Sequence, residues 1–133
     1  MTKIKICGLR REQDIRYANE LMPDYIGFVF LKGKMRYVTF EEAAHLRSLL
    51  DPAIPAVGVF VNEPAENVIR LLQAGTIQIA QLHGQEDEVY IEELRRAGDH
   101  CIIRAFAVRS SEDIHRAFAF SADYPLLDNG KGT

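Results

Sequence analysis

Ala56-Val57-Gly58-Val59-Phe60-Val61 runs without a charge, a helical pattern follows over 64–74, and Ile77-Gln78-Ile79-Ala80-Gln81-Leu82 completes the unit. Short runs rich in Val, Ile and Phe, bounded by turn residues, suit strands covered on both faces. Between them Val68, Ile69, Leu71 and Leu72 recur at helical spacing. Asn62-Glu63-Pro64 offers an N-cap residue with a proline just inside, and Gly75 stops the helix. Strand, helix and strand in this order make a βαβ unit with a right-handed crossover.

The alternation extends in both directions. Toward the N-terminus lie Ile4-Lys5-Ile6-Cys7 and Tyr25-Ile26-Gly27-Phe28-Val29-Phe30. Toward the C-terminus lie Cys101-Ile102-Ile103-Arg104-Ala105-Phe106 and Tyr124-Pro125-Leu126-Leu127-Asp128. Segments 11–22, 40–50, 86–97 and 111–120 read as helices. In 86–97 Val89, Tyr90, Ile91 and Leu94 form an apolar stripe, and Gly98 reads as the C-cap after Arg95 and Arg96. Thr39-x-x-Glu42 and Ser110-x-x-Asp113 have the form of capping boxes. The expectation is one α/β domain over residues 1–133, with six parallel strands and five helices.

Two architectures fit this order. An open doubly wound sheet is complete at this length, whereas a (β/α)8 barrel takes roughly 200 residues or more. Against the first, Gly8-Leu9-Arg10-Arg11 is not the glycine-rich phosphate loop such sheets carry after their first strand. Periodicity alone leaves the choice open. After the sixth strand comes Asn129-Gly130-Lys131-Gly132-Thr133, with no returning helix, which reads as a domain interrupted there.

Composition narrows the function classes. The 133 residues are 47% hydrophobic and 26% charged, with 16 basic against 19 acidic side chains and a net charge of −3. This is the balance of a globular domain and excludes a disordered tail, a collagen-like rod or a coiled coil. It supplies no overall field for nucleic acid or an anionic membrane. No apolar run approaches the roughly 18 residues of a membrane span, and Met1-Thr2-Lys3 does not open a signal peptide. Cys7 and Cys101 form no CxxC pair. The expectation is a reduced, cytoplasmic enzyme or binding domain.

In parallel α/β proteins, chemistry gathers at the carboxyl ends of the strands. Here those ends carry Cys7, the 31–37 loop with Arg36, Asn62, His83 and Asp128. A cysteine ending a buried strand is more often an inert small hydrophobe, but Gly8-Leu9-Arg10-Arg11 brings backbone N–H groups and cations toward this sulfur. Asp128 serves equally as a loop cap or as an acid. Arg36 reads as a solvated loop residue or an anion clamp, and His83 as a hydrogen-bonded structural histidine by default. His45, His83, His100 and His115 show neither HxH nor HExxH spacing, so no metal site is expected. A thiol and a carboxylate on two strand ends, with cations nearby, suit proton transfer on a small anionic substrate.

Lys5-Ile6-Cys7-Gly8, Ile26-Gly27-Phe28-Val29-Phe30, Lys34-x-Arg36-Tyr37, Gly58-Val59-Phe60-Val61-Asn62, Gln81-Leu82-His83-Gly84 and Leu126-Leu127-Asp128 stand in the order of one family's motifs. The chain thus resembles the phosphoribosylanthranilate isomerases of tryptophan biosynthesis, a (β/α)8 TIM-barrel family. The resemblance implies an Amadori rearrangement of N-(5-phosphoribosyl)anthranilate to 1-(2-carboxyphenylamino)-1-deoxyribulose 5-phosphate, without metal or organic cofactor. By position it makes Asp128 the acid that opens the furanose ring and Cys7 the base that removes the C2′ proton. It sets Arg36 against the anthranilate carboxylate and His83 in the pocket wall.

A thiol ordinarily titrates near 8.5 and an aspartic acid near 3.9. A carboxyl that donates a proton at neutral pH therefore needs burial or the approach of the substrate's anions. Family members continue into strands seven and eight, whose loops hold the substrate phosphate, so 133 residues alone are expected to be poorly stable and inactive. The expected partner is a small sugar phosphate, with the protein a monomer or homodimer. Competing readings are a non-catalytic partial barrel that assembles with another chain, and a different sugar-phosphate isomerase or lyase.

Overall fold

The computed structural model describes residues 2–128. Strands and helices alternate as β1 (Lys5–Cys7), α1 (Glu12–Leu21), β2 (Tyr25–Val29), α2 (Phe40–Leu49), β3 (Ala56–Phe60), α3 (Ala65–Gln73), β4 (Ile79–Leu82), α4 (Glu88–Arg96), β5 (Cys101–Ala107), α5 (Ser111–Ala119) and β6 (Tyr124–Asp128). Every strand pair is parallel, and the sheet order is β1-β2-β3-β4-β5-β6.

That order decides the architecture. A doubly wound sheet reverses its strand order at a switch point and so carries helices on both faces. Here every crossover steps the same way, and right-handed crossovers then place all the helices on one face. The sheet curls around its other face. The Lys5 ammonium of β1 donates to Gln81 Oε1 of β4, three strands along the sheet, which only a strongly curled sheet allows. The molecule is a half-barrel of the (β/α)8 type.

Strand residues alternate between the two faces. Ile26, Phe28, Ala56, Phe60, Ala80, Leu82 and Ile102 turn outward and join Ile15, Ala18, Ala43, Leu46, Val68, Leu72, Ile91 and Leu94 from the helices in one core. Phe30, just past β2, stacks on Phe60 with centroids 5.2 Å apart and meets Phe40 edge-on at 5.3 Å. The opposite set turns inward. Register places Cys7 beside Gly27, Gly27 beside Val57, Val57 beside Ile79, Val59 beside Gln81, and Ala107 beside Asp128 on this inner face.

Both capping boxes are supported. The Glu42 N–H donates to Thr39 Oγ1 at 3.0 Å and the Thr39 N–H to Glu42 Oε1 at 3.0 Å, while Asp113 accepts from the Ser110 N–H at 3.2 Å. Two other expectations at helix ends are corrected. Asn62 does not cap α3, whose N-cap is Pro64; Asn62 takes a left-handed φ of 52° and spends its amide on Gln85. Gly98 is not left-handed, because α4 ends at Ala97 in a right-handed turn closed by its N–H to Leu94.

The strands also depart from expectation in two places. β4 begins at Ile79 rather than Ile77, because the Ile77 N–H turns back to Leu71 at the end of α3. Burial on both faces holds for β3 and β4 but not for β1 and β6. Ile6 is 36% exposed, Leu127 45% and Tyr124 63%. Each of these strands is a sheet edge with one neighbour, so nothing among the described residues covers its far side.

The Phe30–Phe60 stack gives a direct test. Phe60→Ala removes a fully buried ring and should lower unfolding free energy by about 3–5 kcal/mol. Val61→Ala, next in the chain but 42% exposed, should change it by about 0.5 kcal/mol or less. Urea unfolding followed by circular dichroism separates the two.

Candidate active site

Cys7 is the last residue of β1 and Asp128 the last of β6, so the thiol and the carboxylate end the two edge strands on the same inner face. His83 follows directly on β4, and its N–H donates to the Phe60 carbonyl at 2.8 Å. Arg36 lies in the loop between β2 and α2. The structure thus gathers Cys7, Arg36, His83 and Asp128 at one end of the half-barrel. Asn62 sits at the same end, exposed, and ties loops together as described below.

Two glycines shape the surroundings of Cys7. Gly27 lies beside it in the register, and a Cβ there would stand 2.8 Å from Cys7 Sγ. The absent side chain is what makes room for the sulfur on this face. Gly8 takes a φ of 85°, open to glycine at no steric cost, and its N–H donates to the Gly27 carbonyl at 2.9 Å. The stem of Arg36 packs directly over Gly8, where a methyl group would collide with it, and Arg36 Nη1 donates to the Cys7 carbonyl at 3.4 Å. The arginine is therefore docked on the residues that end β1. A crevice of about 370 Å³ lies there between the start of α1 and the Arg36 loop, lined by Gly8, Leu9, Arg10, Arg11, Asp14, Met35 and Arg36.

The cations expected near the sulfur are not the ones found. Arg11 turns away to pair with Asp14 at 2.9 Å, and Arg10 Nη1 donates to the Met35 carbonyl at 3.2 Å. Asp14 stands at the third position of α1, where it also accepts the Arg10 and Arg11 N–H groups, and so it captures Arg11. The cation that shares the inner face with Cys7 is Lys5, two residues earlier. Burial holds the Lys5 ammonium below its ordinary range, and its electrostatic interaction with Cys7 acts in the opposite sense.

Further along the inner face, Gln81 is 4% exposed and bridges Lys5 and His83. His83 is held below the ordinary imidazole range, first by burial and then by Lys5, against the pull of Asp128 and Glu86. The buried Glu86 carboxylate accepts the Asn62 N–H and the Gly84 N–H, each at 2.8 Å. Gly84 is seated against the Asn62 side chain with no space for a Cβ. Glu86 and Asn62 together clamp the loops after β3 and β4, and the Tyr90 hydroxyl adds a 2.6 Å bond to the Glu63 carbonyl. Among the described residues no three His, Cys, Asp or Glu side chains come together as metal ligands.

Sequence reasoning missed Lys5, Gln81 and Glu86 as members of the site. The first two had a readable signal, since a polar residue at every second position of an apolar strand marks one face. Lys5 and Cys7 share such a face, as do Gln81 and His83. Glu86 had none, because only folding carries it under Asn62.

The close fit at Gly27 can be tested on the thiol. Gly27→Ala should displace the Cys7 side chain and change its rate of alkylation by iodoacetamide severalfold, with the circular dichroism spectrum retained. An unchanged alkylation rate would show that Gly27 does not shape the thiol's position.

The family model for N-(5'-phosphoribosyl)anthranilate (PRA) isomerase matches residues 4–133. The chain is 44% identical over 128 residues to an N-(5'-phosphoribosyl)anthranilate isomerase of Thermoanaerobacter sp. (strain X514), covering 96% of this chain and 61% of that one. It is 46% identical over 128 residues to the enzyme of that name from Endomicrobium trichonymphae, covering 96% and 62%. Among solved structures, a phosphoribosyl anthranilate isomerase in complex with reduced 1-(o-carboxyphenylamino)-1-deoxyribulose 5-phosphate superposes with a TM-score of 0.85 at 31% identity. That match covers 96% of this chain and 65% of the other. The Thermus thermophilus isomerase superposes with a TM-score of 0.83 at 34% identity, covering 96% and 62%. The chain spans about three-fifths of the length of the curated relatives it matches. By sequence and by fold, the chain belongs to the N-(5'-phosphoribosyl)anthranilate isomerase family.

Proposed function

We propose that this chain carries the acid–base machinery for the Amadori rearrangement of N-(5-phosphoribosyl)anthranilate to 1-(2-carboxyphenylamino)-1-deoxyribulose 5-phosphate. One observation carries the reading. Cys7 and Asp128 end β1 and β6 on the same inner face, so an acid and a base flank the open side of the half-barrel from its two edges. Asp128 gives its proton to the furanose ring oxygen as the C1′–O bond breaks, and the anthranilate nitrogen lone pair forms the C1′=N Schiff base. The Cys7 thiolate then takes the C2′ proton, the C2′–H electrons form the C1′=C2′ bond, and the C1′=N π electrons return to nitrogen. The resulting enolamine tautomerises to the C2′ ketone. Each proton transfer contributes roughly 10²–10⁴-fold.

Arg36, docked over Gly8, is suited to the anthranilate carboxylate, since a guanidinium binds a carboxylate by two parallel hydrogen bonds. His83 lines the pocket and orients substrate. No cofactor enters this scheme. In this reading the protein works in the cytoplasm on a small sugar phosphate, as a monomer or homodimer; a related Thermotoga maritima enzyme is described as dimeric. In this reading the substrate phosphate is held by segments outside residues 1–133. In this reading residues 1–133 taken alone are inactive, and activity appears when the remaining two-fifths of a relative is appended.

Chromatographic assay of phosphoribosylanthranilate turnover, with and without that extension, tests the scheme. In the extended protein Asp128→Asn should abolish turnover while substrate still binds, and Cys7→Ser should lower kcat by about 10²-fold or more. A wild-type kcat in either variant removes that residue from the mechanism. Turnover by residues 1–133 alone refutes the need for that extension.

A further inference from the structure

We propose that Lys5 and Gln81 are positioning residues that hold the His83 imidazole neutral, with its proton on Nδ1 and with Nε2 as acceptor. An ammonium has three donors and no acceptor. Lys5 donates to Gln81 Oε1, so the amide is oriented with its NH2 group away from Lys5. Gln81 Nε2 then lies 2.5 Å from His83 Nε2. An amide nitrogen only donates, so His83 Nε2 must accept, and the proton of the neutral ring is left on Nδ1.

Both alternatives meet a clash of donors. Reversing the amide sets its NH2 group against the Lys5 ammonium. Protonating His83 sets Nε2–H against the amide NH2. Gln81 is 4% exposed, so water has little access to replace either lost bond. The chain of contacts runs from β1 through β4 to the residue after it, and each member dictates the next.

The charges around the ring agree on balance. Lys5 faces it from β1, and Arg104 of β5, beside outward-facing Leu82 in the register, acts from the other side of the sheet; both disfavour the imidazolium, while Glu86 from the segment after β4 and Asp128 from β6 favour it. Burial is the largest influence and sides with the cations. The consequence for catalysis rests on the proposed reaction. A positive ring on this face would favour carboxylate over carboxylic acid at a neighbouring acid, and a neutral ring removes that penalty. The tautomer itself rests on the geometry alone.

Imidazole ¹⁵N spectroscopy on the 133-residue chain tests this, with His83 identified by the signals lost in His83→Gln. The expected result near neutral pH is a pyridine-like Nε2 and a pyrrole-like Nδ1, with a titration midpoint below the ordinary 6.5. In Lys5→Met the amide is free to reverse, so the proton should shift toward Nε2 and the midpoint should rise by about one pH unit. Gln81→Glu, whose carboxylate accepts from both neighbours, should raise the midpoint above 6.5. A pyrrole-like Nε2 in the unsubstituted chain overturns the proposal, whether or not either variant folds. An unchanged tautomer in folded Lys5→Met overturns the part given to Lys5. If the extended protein fails to isomerise phosphoribosylanthranilate while the ring shows Nδ1–H, the isomerase reading fails and this one stands.

Discussion

Winding in one direction is the constraint on which the rest of this molecule depends. Because each right-handed crossover adds its strand on the same side of the last, all the helices collect on one face of the sheet. That face becomes a dry core of Phe28, Phe60, Leu82 and their helix partners. The other face, free of helices, curls inward and can hold polar groups that the outer face could not. Lys5 and Gln81 meet there across three strands because the sheet curls. The division is therefore between a face that supplies stability and a face that supplies chemistry.

The inner face holds its polar groups by bonding them to one another. A buried amide, a lysine and a histidine would each be destabilising alone. Linked in series, they satisfy their donors and acceptors and lose rotational freedom together. The same logic operates one layer out. Glu86 is buried yet fully engaged by two backbone N–H groups, and so the loops after β3 and β4 are fixed relative to each other. Glycine does the complementary work where groups must approach closely, Gly27 beneath the thiol and Gly8 beneath Arg36. A site built this way is positioned by strands and clamped loops rather than by mobile segments.

The edges of the sheet and its chemistry coincide. β1 and β6 are the edge strands, each exposes apolar side chains, and each ends in one of the two groups suited to acid–base work. The family model matches residues 4–133, which takes in the whole described sheet, and the relatives are longer by about two-fifths of their own length.

Much of this was legible in the amino-acid order. The alternation of short apolar runs with helical periods located all six strands and five helices to within a few residues, because local periodicity reports which side of an element is buried. Thr39-x-x-Glu42 marked its helix start for the same reason, since a cap is bonded within four residues. The strand ends named Cys7, Arg36, His83 and Asp128 as candidates. What only the tertiary structure decided was whatever depends on distant partners. Open sheet or barrel turned on strand order, a relation among units that periodicity inside each unit does not contain. Asn62 left its expected cap because Gln85 and Glu86, more than twenty residues away, offered better bonds. Arg11 was lost to Asp14 and Lys5 shares its face with Cys7 within a few residues, but the bond from Lys5 to Gln81 exists only because the inner face of a curled sheet is assembled from residues that the sequence keeps far apart.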